Sequence, residues 1–545
     1  MENNVASNLS PTYYWDNFQY VLRYVDKHYK NLLNPLESAY ISSYQSLSFH
    51  AQCLYLRLSG RSVAWYNLTS LHYAEIQSIR DSVDELIKHG FISTYSDQVI
   101  TMELLQVMTK QSCIDLLKSS SVVNQSFKAL SKAEVMALLI DLPLPLQFDG
   151  SAWIRPLHLD RYHFCSFLFF GSKNRDLKEF VVRDLGHRQY VEIAEEDFQP
   201  YFSSREEIDH KWELSLWREW FFDSQDKLEP SLLKASLFES IIPMAANLTE
   251  LALPAYERLL FQVGRYFERQ KLLEDALMIF EQAGSAQALE RRVRILAKLN
   301  RLDEAIQWAD FGQLYVENPT ELHFFQDFLA RQLAKKQVKQ VTARLKKADK
   351  LEIDVSYQGK VEQGLIDYYQ SLGFYAAFSE NGVWKNILGL LTWELIYADR
   401  SAGFHHPFQY APTVDFTQVN PEKFAKLLNM LQDLPAVMNH LHTVADEHQG
   451  VINPLVDWAH LNWELIEKVL FHVESGALKQ VLAMMWSRLS THAKGFPDLF
   501  IQKDDYYCFV EVKSPNDHLS AIQHYWHDFF ADLGIPVQLV RVIWK

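Results

Sequence analysis

The sequence is poor in cysteine, and its four cysteines (Cys53, Cys113, Cys165 and Cys508) are scattered without CxxC spacing. They offer neither a disulfide framework nor a zinc site, as is typical of proteins in a reducing cytosol. The N-terminus lacks a basic segment followed by an apolar stretch, so no signal peptide is indicated. No apolar run is long enough to cross a bilayer. We therefore predict a soluble, cytoplasmic protein without a membrane partner.

Several common catalytic motifs are also missing. The chain contains no GxGxxG, Walker A, HExxH or GxSxG sequence, so nucleotide binding, zinc proteolysis and serine hydrolysis have no support. The chain also has no excess of positive charge, because it contains 53 Lys and Arg but 68 Asp and Glu, which gives a net charge of −15. This balance excludes a protein whose whole surface is basic. It does not exclude nucleic-acid binding, which depends on local basic patches.

The length and hydrophobic content indicate several folded domains. With 545 residues, 48% of them hydrophobic, the chain exceeds what a single core usually supports. Helical periodicity dominates most of it, and strand-like alternation is concentrated near the C-terminus. We predict a multidomain, predominantly α protein with a C-terminal α/β domain over residues 366–545.

The first 95 residues are predicted to be helical and winged-helix-like. From Cys53 to Ile92 the sequence reads as an apolar helix, a short connector, a second helix and a stop at Gly90. This order is typical of a winged helix. Such a module contacts DNA in some proteins and serves only for packing in others, and both alternatives stay open.

Residues 96–150 are predicted to form a SAP-like DNA-binding hairpin. Two short helices are expected here, separated by a polar stretch. The second helix is expected to begin with a capping box formed by Ser131 and Glu134. In this motif the side chain of each residue accepts a hydrogen bond from the backbone amide of the other. Residues 151–245, which are mixed and rich in aromatic residues, are predicted to be a connector in which we identify no chemistry.

Residues 246–365 are predicted to form TPR-like helical repeats. The segments KLLEDAL and NRLDEAI resemble each other, with Ala276 and Ala305 at matching places where two helices would cross. Such repeats bind partners or act as spacers.

A basic segment follows, since residues 331–350 carry eight Lys or Arg and one Asp. A solvated helix face is the simple interpretation of this segment. The alternative is a ridge that contacts DNA phosphates. Its candidate residues are Lys335, Lys336, Lys339, Arg344, Lys346 and Lys347.

The C-terminal segment carries the clearest chemical pattern. Residues 497–501 and 507–513 are predicted to form two strands of a hairpin. Alternation in the second strand places Phe509, Glu511 and Lys513 on one face and apolar side chains on the other. Asp498, at the start of the partner strand, is expected beside Glu511. A helix capped by Asn516 or Asp517 and a third strand over residues 536–544 follow.

Two carboxylates held together repel each other unless a cation lies between them, and hard oxygen ligands suit Mg²⁺ or Mn²⁺. We predict that one or two such ions are held by Asp498 and Glu511, with the Val512 carbonyl as a further ligand. Such ions can activate a water molecule and stabilise charge during phosphodiester hydrolysis. Lys513 would orient or deprotonate the water, or stabilise the transition state.

The order strand, turn, strand, helix, strand is similar to the core of the PD-(D/E)xK (restriction-endonuclease-like) nucleases. More specifically, the segments GFPDL, EVKSPND and LSAIQ resemble the VRR-NUC domain. Ser514 stands where glycine is usual in that domain, and His518 stands where arginine is usual. The resemblance implies that Asp498, Glu511 and Lys513 are catalytic and that Gln523 supports the site.

The resemblance extends to the Fanconi-associated nuclease family. Glu380, before an apolar helix, matches the glutamate that completes the metal site in that family, and Glu394 is a rival acid. The winged-helix-like region, the SAP-like hairpin and the TPR-like repeats also follow the family's order. The chain is similar to its bacterial-type members, since the ubiquitin-binding module of eukaryotic members has no counterpart here.

This resemblance implies a structure-specific DNA endonuclease that cuts 5′ flaps and branched DNA. It further implies a possible 5′-to-3′ exonuclease activity and a role in DNA repair, including interstrand crosslink repair. One alternative is a VRR-NUC nuclease for four-way junctions or restriction-like substrates. Another is a non-catalytic helical-repeat scaffold. Protein partners are not indicated by the sequence.

Overall fold

The computed structural model divides the chain into two compact units. The first comprises Met1–His187 and Pro200–Ile208, and the second comprises Arg188–Gln199 and Asp209–Lys545. No helix in the described part of the chain is both long and apolar enough to cross a membrane. The structure describes residues 9–61, 63–95, 101–119, 127, 129–140, 150–333, 340–380, 382–397, 403–413, 417 and 420–545.

The first unit consists of helices around a small antiparallel sheet with the strand order β1-β3-β2. Its strands are β1 (Tyr66–Asn67), β2 (Ile92–Thr94) and β3 (Trp153–Pro156). Its helices are α1 (Tyr13–Tyr29), α2 (Pro35–Ser46), α3 (Phe49–Ser59), α4 (Ile79–Lys88), α5 (Met102–Val107), α6 (Lys110–Ser119), α7 (Lys132–Ile140), α8 (Leu159–Phe170) and α9 (Lys178–Asp184).

The elements α3, β1, α4 and β2 follow the order predicted for a winged helix. Helix α4 begins at Ser78, whose hydroxyl accepts a hydrogen bond from Asp81 N, and buries Val83 and Leu86. The chain then turns at Gly90, whose φ of 75° lies in the left-handed region that suits glycine. Strand β3 arrives from far along the sequence to complete the sheet.

The SAP-like region contains three helices rather than the predicted two. The backbone is extended at Met108, where ψ is 151°. This extended residue divides the first predicted helix into α5 and α6. The predicted capping box of α7 is confirmed. The Ser131 hydroxyl accepts from Glu134 N at 3.3 Å, and the Glu134 carboxylate accepts from Ser131 N at 2.6 Å.

The second unit begins with a series of helices. These are α10 (Arg205–Ser224, whose first turn belongs to the first unit), α11 (Pro230–Ser236), α12 (Leu253–Arg269), α13 (Leu273–Phe280), α14 (Ala286–Lys298), α15 (Leu302–Tyr315), α16 (Pro319–Leu333) and α17 (Gln340–Lys346). Ala276 and Ala305 are fully buried in their common core, as expected where helices pack closely. The likeness of these helices to TPR repeats stays a prediction.

A five-stranded mixed sheet forms the centre of the C-terminal part, with the order β4-β8-β7-β6-β5. Strands β4, β8 and β7 are parallel to one another, whereas β6 pairs antiparallel with β7 and with β5. The strands are β4 (Asp349–Ile353), β5 (Tyr375–Phe378), β6 (Leu499–Lys503), β7 (Tyr506–Lys513) and β8 (Val537–Trp544).

Helices cover both faces of this sheet. Helix α18 (Val361–Ser371) packs on Val510, Val512 and their neighbours. On the other face, aromatic rings of α19 and α26 surround Phe509. The remaining helices are α19 (Gly382–Leu391), α20 (Trp393–Tyr397), α21 (Pro421–Asn429), α22 (Leu434–His448), α23 (Trp463–His472), α24 (Ser475–Ser487), α25 (Leu489–His492) and α26 (Ala521–Asp532).

The predicted fold class, mainly helical with a C-terminal α/β domain, is confirmed, and the structure differs from the predictions in two details. Strand β4 and the first half of helix α18 lie before residue 366 and yet belong to the sheet and its core, so the sheet includes residues that precede the predicted start of the domain. Helix α26 is capped by Ser520 and not by Asn516 or Asp517. The Asp517 carboxylate instead accepts from Ser514 N at 2.8 Å in the preceding turn. The other predicted domain boundaries stay predictions.

Candidate active site

Asp498 lies where three segments of the five-stranded sheet meet. It directly precedes β6, and the register of Leu499 with Val510 places it opposite the next residue of β7, Glu511. Its carboxylate accepts a hydrogen bond of 2.6 Å from Val512 N. Its main-chain carbonyl accepts from Ser379 N at 2.8 Å and from Glu380 N at 3.2 Å. Asp498 therefore ties β7 and the end of β5 together.

Glu511 and Lys513 project from one face of β7, as the alternation predicted. Both are buried, with exposures of 2% and 7%, because helices cover that face as well as the apolar one. Lys513 Nζ lies 2.7 Å from Glu511 Oε1 and forms an ion pair with it. Nevertheless, Glu511 Oε1 accepts no hydrogen bond of good geometry from the part of the chain that the structure describes.

The electrostatics of the site work against two neighbouring negative charges. Burial raises the pKa of Asp498 to about 7, and the charges of Glu380 and Glu362 add to this rise. Burial likewise raises the pKa of Glu511 to about 8, with a further contribution from Asp498. Lys513 opposes both shifts. The positive charge near the two carboxyl groups is therefore too small to keep both of them ionised at neutral pH.

Burial by itself would lower the pKa of Lys513. The neighbouring Glu511, and then Asp498, outweigh burial and hold this pKa above its usual value of 10.5. The ammonium group consequently stays protonated at neutral pH.

Glu380 follows β5 and lies at the exposed side of the site. Its charge contributes to the raised pKa of both Asp498 and Glu511, so the structure brings all three predicted acids into one electrostatic neighbourhood. As the side chains stand, however, no three Asp, Glu, His or Cys groups among the described residues are close enough to hold a metal ion. The pre-formed part of the site is the Asp498–Glu511 pair.

This pair fits a divalent cation. Glu511 Oε1 is buried without a well-formed hydrogen bond, and the pKa of each carboxylate is raised. Oxygen donors with unsatisfied negative charge are what Mg²⁺ and Mn²⁺ prefer. Glu380 can complete such a set from the solvent side, because its backbone is already fixed against Asp498.

Sequence reasoning missed Glu362, in the first turn of α18. Its charge contributes to the raised pKa of Asp498, so this half-buried acid lies within electrostatic range of the site. A glutamate near the start of a helix has no distinctive sequence signal. The helix would first have to be assigned to the sheet, and its place there depends on pairing between distant segments.

Two further candidates have structural contacts of their own. Glu394, the rival of Glu380, forms an ion pair of 2.8 Å with Lys423, and this pairing lowers its pKa. The Gln523 side-chain oxygen accepts from Ser520 N at 3.0 Å and so caps α26. Gln523 therefore fixes the start of the helix that follows β7.

The structure separates the predicted basic ridge into different environments. Arg344 forms an ion pair with Asp528 and contacts the His524 ring, so it holds α17 against α26. Lys346 and Lys347 are exposed beside it. Lys335, Lys336 and Lys339 lie outside the described residues.

Comparison with protein families gives two matches. Residues 12–93 match the model of the FAN1 HTH domain, and residues 439–544 match the VRR-NUC domain. The first covers the winged-helix-like region, and the second includes Asp498, Glu511 and Lys513.

Similar proteins extend the likeness to almost the whole chain. A Fanconi-associated nuclease 1 homologue of Pseudomonas aeruginosa is 26% identical, with 98% of this chain and 96% of the relative covered. A homologue of Oryza sativa subsp. japonica is 23% identical over 98% of this chain, which spans 63% of that relative's length.

Solved structures agree in fold. The crystal structure of paFAN1 bound to DNA with a 2-nt 5′ flap and a gap has a TM-score of 0.84, 24% identity and 98% coverage of both chains. The corresponding structure with a 1-nt 5′ flap has a TM-score of 0.81, 25% identity and coverage of 98% of this chain and 99% of the other. With its two domain matches and this end-to-end likeness, the chain is similar over almost its whole length to Fanconi-associated nucleases.

Proposed function

We propose that this protein is a structure-specific DNA nuclease that incises 5′-flap and other branched DNA by phosphodiester hydrolysis. The observation that carries the proposal is the buried Asp498–Glu511 pair beside Lys513, in a chain similar to Fanconi-associated nucleases. The preference for flaps is inferred from the related protein, which was crystallised with 5′-flap DNA.

The reaction requires a cation that the carboxylates can hold. Asp498, Glu511 and Glu380 would bind one or two Mg²⁺ or Mn²⁺ ions, with the Val512 carbonyl as a further ligand. When bound, the ions would neutralise charge on the phosphate and activate the attacking water. The hydrogen bond from Val512 N fixes the Asp498 carboxylate toward β7, and the Asp498 carbonyl fixes the backbone of Glu380.

Lys513 acts as a hydrogen-bond donor in this proposal. Its raised pKa keeps the ammonium group charged, so it is poorly suited to take a proton from water at neutral pH. A charged donor in a buried site can instead orient the water and stabilise negative charge that develops on the phosphate. Its ion pair with Glu511 holds the ammonium group at the site before substrate arrives.

The family likeness also motivates a role in DNA repair, including interstrand crosslink repair, and a 5′-to-3′ exonuclease activity. Two other functions remain as competing outcomes of the test below. A nuclease for four-way junctions would use the same site on a different substrate, and a helical-repeat scaffold would cut nothing.

The test uses purified full-length protein and four end-labelled DNAs: a 5′ flap, a 3′ flap, a four-way junction and a linear duplex. Each is incubated with Mg²⁺, with Mn²⁺ or with EDTA. We expect cutting near the branch of the 5′ flap, dependent on the metal. Preference for the four-way junction would favour the alternative nuclease. No cutting of any DNA with either metal would overturn the proposal.

A further inference from the structure

A groove leads away from Glu380 across the second unit. It consists of two adjoining cavities of about 320 and 520 Å³, which share Lys385, Pro454 and Leu455 as lining residues. Glu380 lines the smaller cavity. The larger one, called the basic groove here, is lined on its polar side by Lys385, Thr417, Ser487, Arg488, Ser490 and Lys494.

The charge of the basic groove is unlike that of the chain as a whole. The protein has a net charge of −15, yet this cavity is lined by three cations and by no Asp or Glu in the part of the chain that the structure describes. Among those residues Arg488 forms an ion pair with Glu317, which is 90% exposed and 3.9 Å away, and its charge also acts on the half-buried Glu321. Such a distant, solvated pair leaves most of the arginine's charge available.

The two lysines are not neutralised either. Within the described ranges, neither Lys385 nor Lys494 has an acidic oxygen within 4.0 Å. Three cations that line one cavity without acids favour an anionic occupant. The hydroxyl of Ser490 adds a hydrogen-bond donor of the kind that contacts phosphate oxygens, whereas that of Ser487 already donates to Met484 O at 2.9 Å.

Lys385 connects this charge to the proposed active site. It lies in the first turn of α19, five residues after Glu380, and lines both cavities. A nucleic-acid strand that leaves the metal-binding acids past Glu380 would therefore meet the lysine first and then Arg488 and Lys494. The apolar side chains of Pro454 and Leu455 form the intervening surface.

We propose that the basic groove binds the sugar–phosphate backbone of the DNA strand adjacent to the scissile phosphate, with Lys385 and Lys494 each contacting one phosphate. This inference rests on the proposed nuclease function. It adds a location for the strand that the acids alone do not provide. In these roles the lysines are positioning residues, because they act on neighbouring phosphates and not on the reacting atoms.

The test measures binding under conditions that need no cutting. Full-length protein carrying Asp498→Asn binds a fluorescent 5′-flap DNA in EDTA, and the Kd is measured by anisotropy over a range of KCl concentrations. Each lost phosphate contact lowers the slope of log Kd against log salt by about 0.9. We expect Lys385→Gln and Lys494→Gln each to lower the slope by about 1. Lys385→Arg and Lys494→Arg should keep it.

The control is Lys426→Gln, which removes an exposed lysine of α21 that lines neither cavity and should leave the slope unchanged. Slopes for Lys385→Gln and Lys494→Gln that equal the control would overturn the groove assignment. A loss of slope in the Arg variants as well would point to structural damage and would also count against it. Failure of the unsubstituted protein to cut flap DNA would instead count against the proposed function, and the binding slopes would still decide the groove.

Discussion

Asp498 combines a proposed chemical task and a structural task in one residue. One oxygen of its carboxylate accepts from Val512 N, and its carbonyl accepts from two backbone amides after β5. Removing the side chain would leave a buried amide unpaired, at a cost of about 1–3 kcal/mol. An asparagine keeps an acceptor of the same size and removes only the negative charge.

We therefore expect Asp498→Asn to fold and to lose cleavage. Losing a charged ligand should lower the single-turnover cleavage rate of 5′-flap DNA by more than about 100-fold, since even outer-shell changes cost about 10–100-fold. Asp505→Asn is the matched control, because it removes an exposed carboxylate from the turn of the same hairpin. A rate for Asp498→Asn near that of the control would contradict the assigned role.

Lys513 gives a separate prediction. If its ammonium group stabilises the transition state, Lys513→Met should lower kcat by about 10²–10³-fold with a smaller change in KM. Because Lys513 also opposes the raised pKa of Glu511, the variant's remaining activity should shift toward higher pH. Rates over a series of pH values would check both effects. An unchanged profile would show that the ion pair has little influence on Glu511.

At the scale of elements, the contact between the segment before β6 and helix α26 is unusually tight. Gly495 has φ at 78°, and a Cβ built on it would lie 2.8 Å from Ile522 Cγ2 in the first turn of α26. A side chain at position 495 would thus be strained and would also push against the helix that covers the site.

Gly495→Ala should consequently destabilise the protein more than a change in φ alone explains. Gly534→Ala is the matched control, because Gly534 has φ at 72° but open space around its Cβ position. The control should lose about 1–2 kcal/mol of unfolding free energy from the left-handed conformation, and Gly495→Ala should lose more. Urea unfolding of both variants makes the comparison. Equal losses would mean that Ile522 yields without cost.

Elements also differ in how far sequence predicts them. The hairpin of β6 and β7 was predictable because alternation and a polar turn are local signals. Strand β4 was not, since DKLEI follows a basic segment and pairs with β8, whose residues lie far along the chain. The start of α26 was misplaced because Asn516, Asp517 and Ser520 are all good capping residues, and only the turn at Ser514 decides among them.

The same limit applied to the candidate site. Asp498, Glu511 and Lys513 could be identified because motif and strand register act over short distances. Their deep burial could not, since it depends on rings such as Trp384 and Phe530 packing on the second face of the sheet. Glu362 was missed for the same reason. A local sequence pattern does not show which distant segments of the chain are in contact.

For the whole molecule, the raised pKa values predict how stability depends on pH without metal. The pKa values of Asp498 and Glu511 rise from 3.8 and 4.5 to about 7 and about 8 on folding. The folded state therefore holds protons that the unfolded state releases. By linkage, the free energy of unfolding falls as pH rises from about 4 to about 8 and then levels off.

Urea unfolding in EDTA at pH 5.5 and pH 8.5 would measure this effect. We expect the difference between the two pH values to be smaller in Glu511→Gln, which cannot release the proton. Asp505→Asn should behave like the unsubstituted protein. A pH dependence that Glu511→Gln leaves intact would show that other groups are responsible.

Metal binding should reverse this loss. A ligand that binds only the folded state stabilises it by about 2.7 kcal/mol at 100 times its Kd. Mn²⁺ should therefore raise Tm at pH 8.5, above the raised pKa of both carboxyls, and should raise it much less for Asp498→Asn. Differential scanning calorimetry with Mn²⁺ and with EDTA would check this. Equal shifts in both proteins would place the binding elsewhere.

Strand β8 has a consequence for the timing of activity during synthesis. Strand β8 lies between β4 and β7 in the sheet. In the sequence it comes after both, because β8 spans residues 537–544 whereas β4 begins at residue 349 and β7 at residue 506. Until the ribosome has released these residues, β4 and β7 lack their shared neighbour, and the strand that carries Glu511 and Lys513 has an open edge. The sheet on which Glu511 and Lys513 are held is therefore completed by one of the last segments to be synthesised.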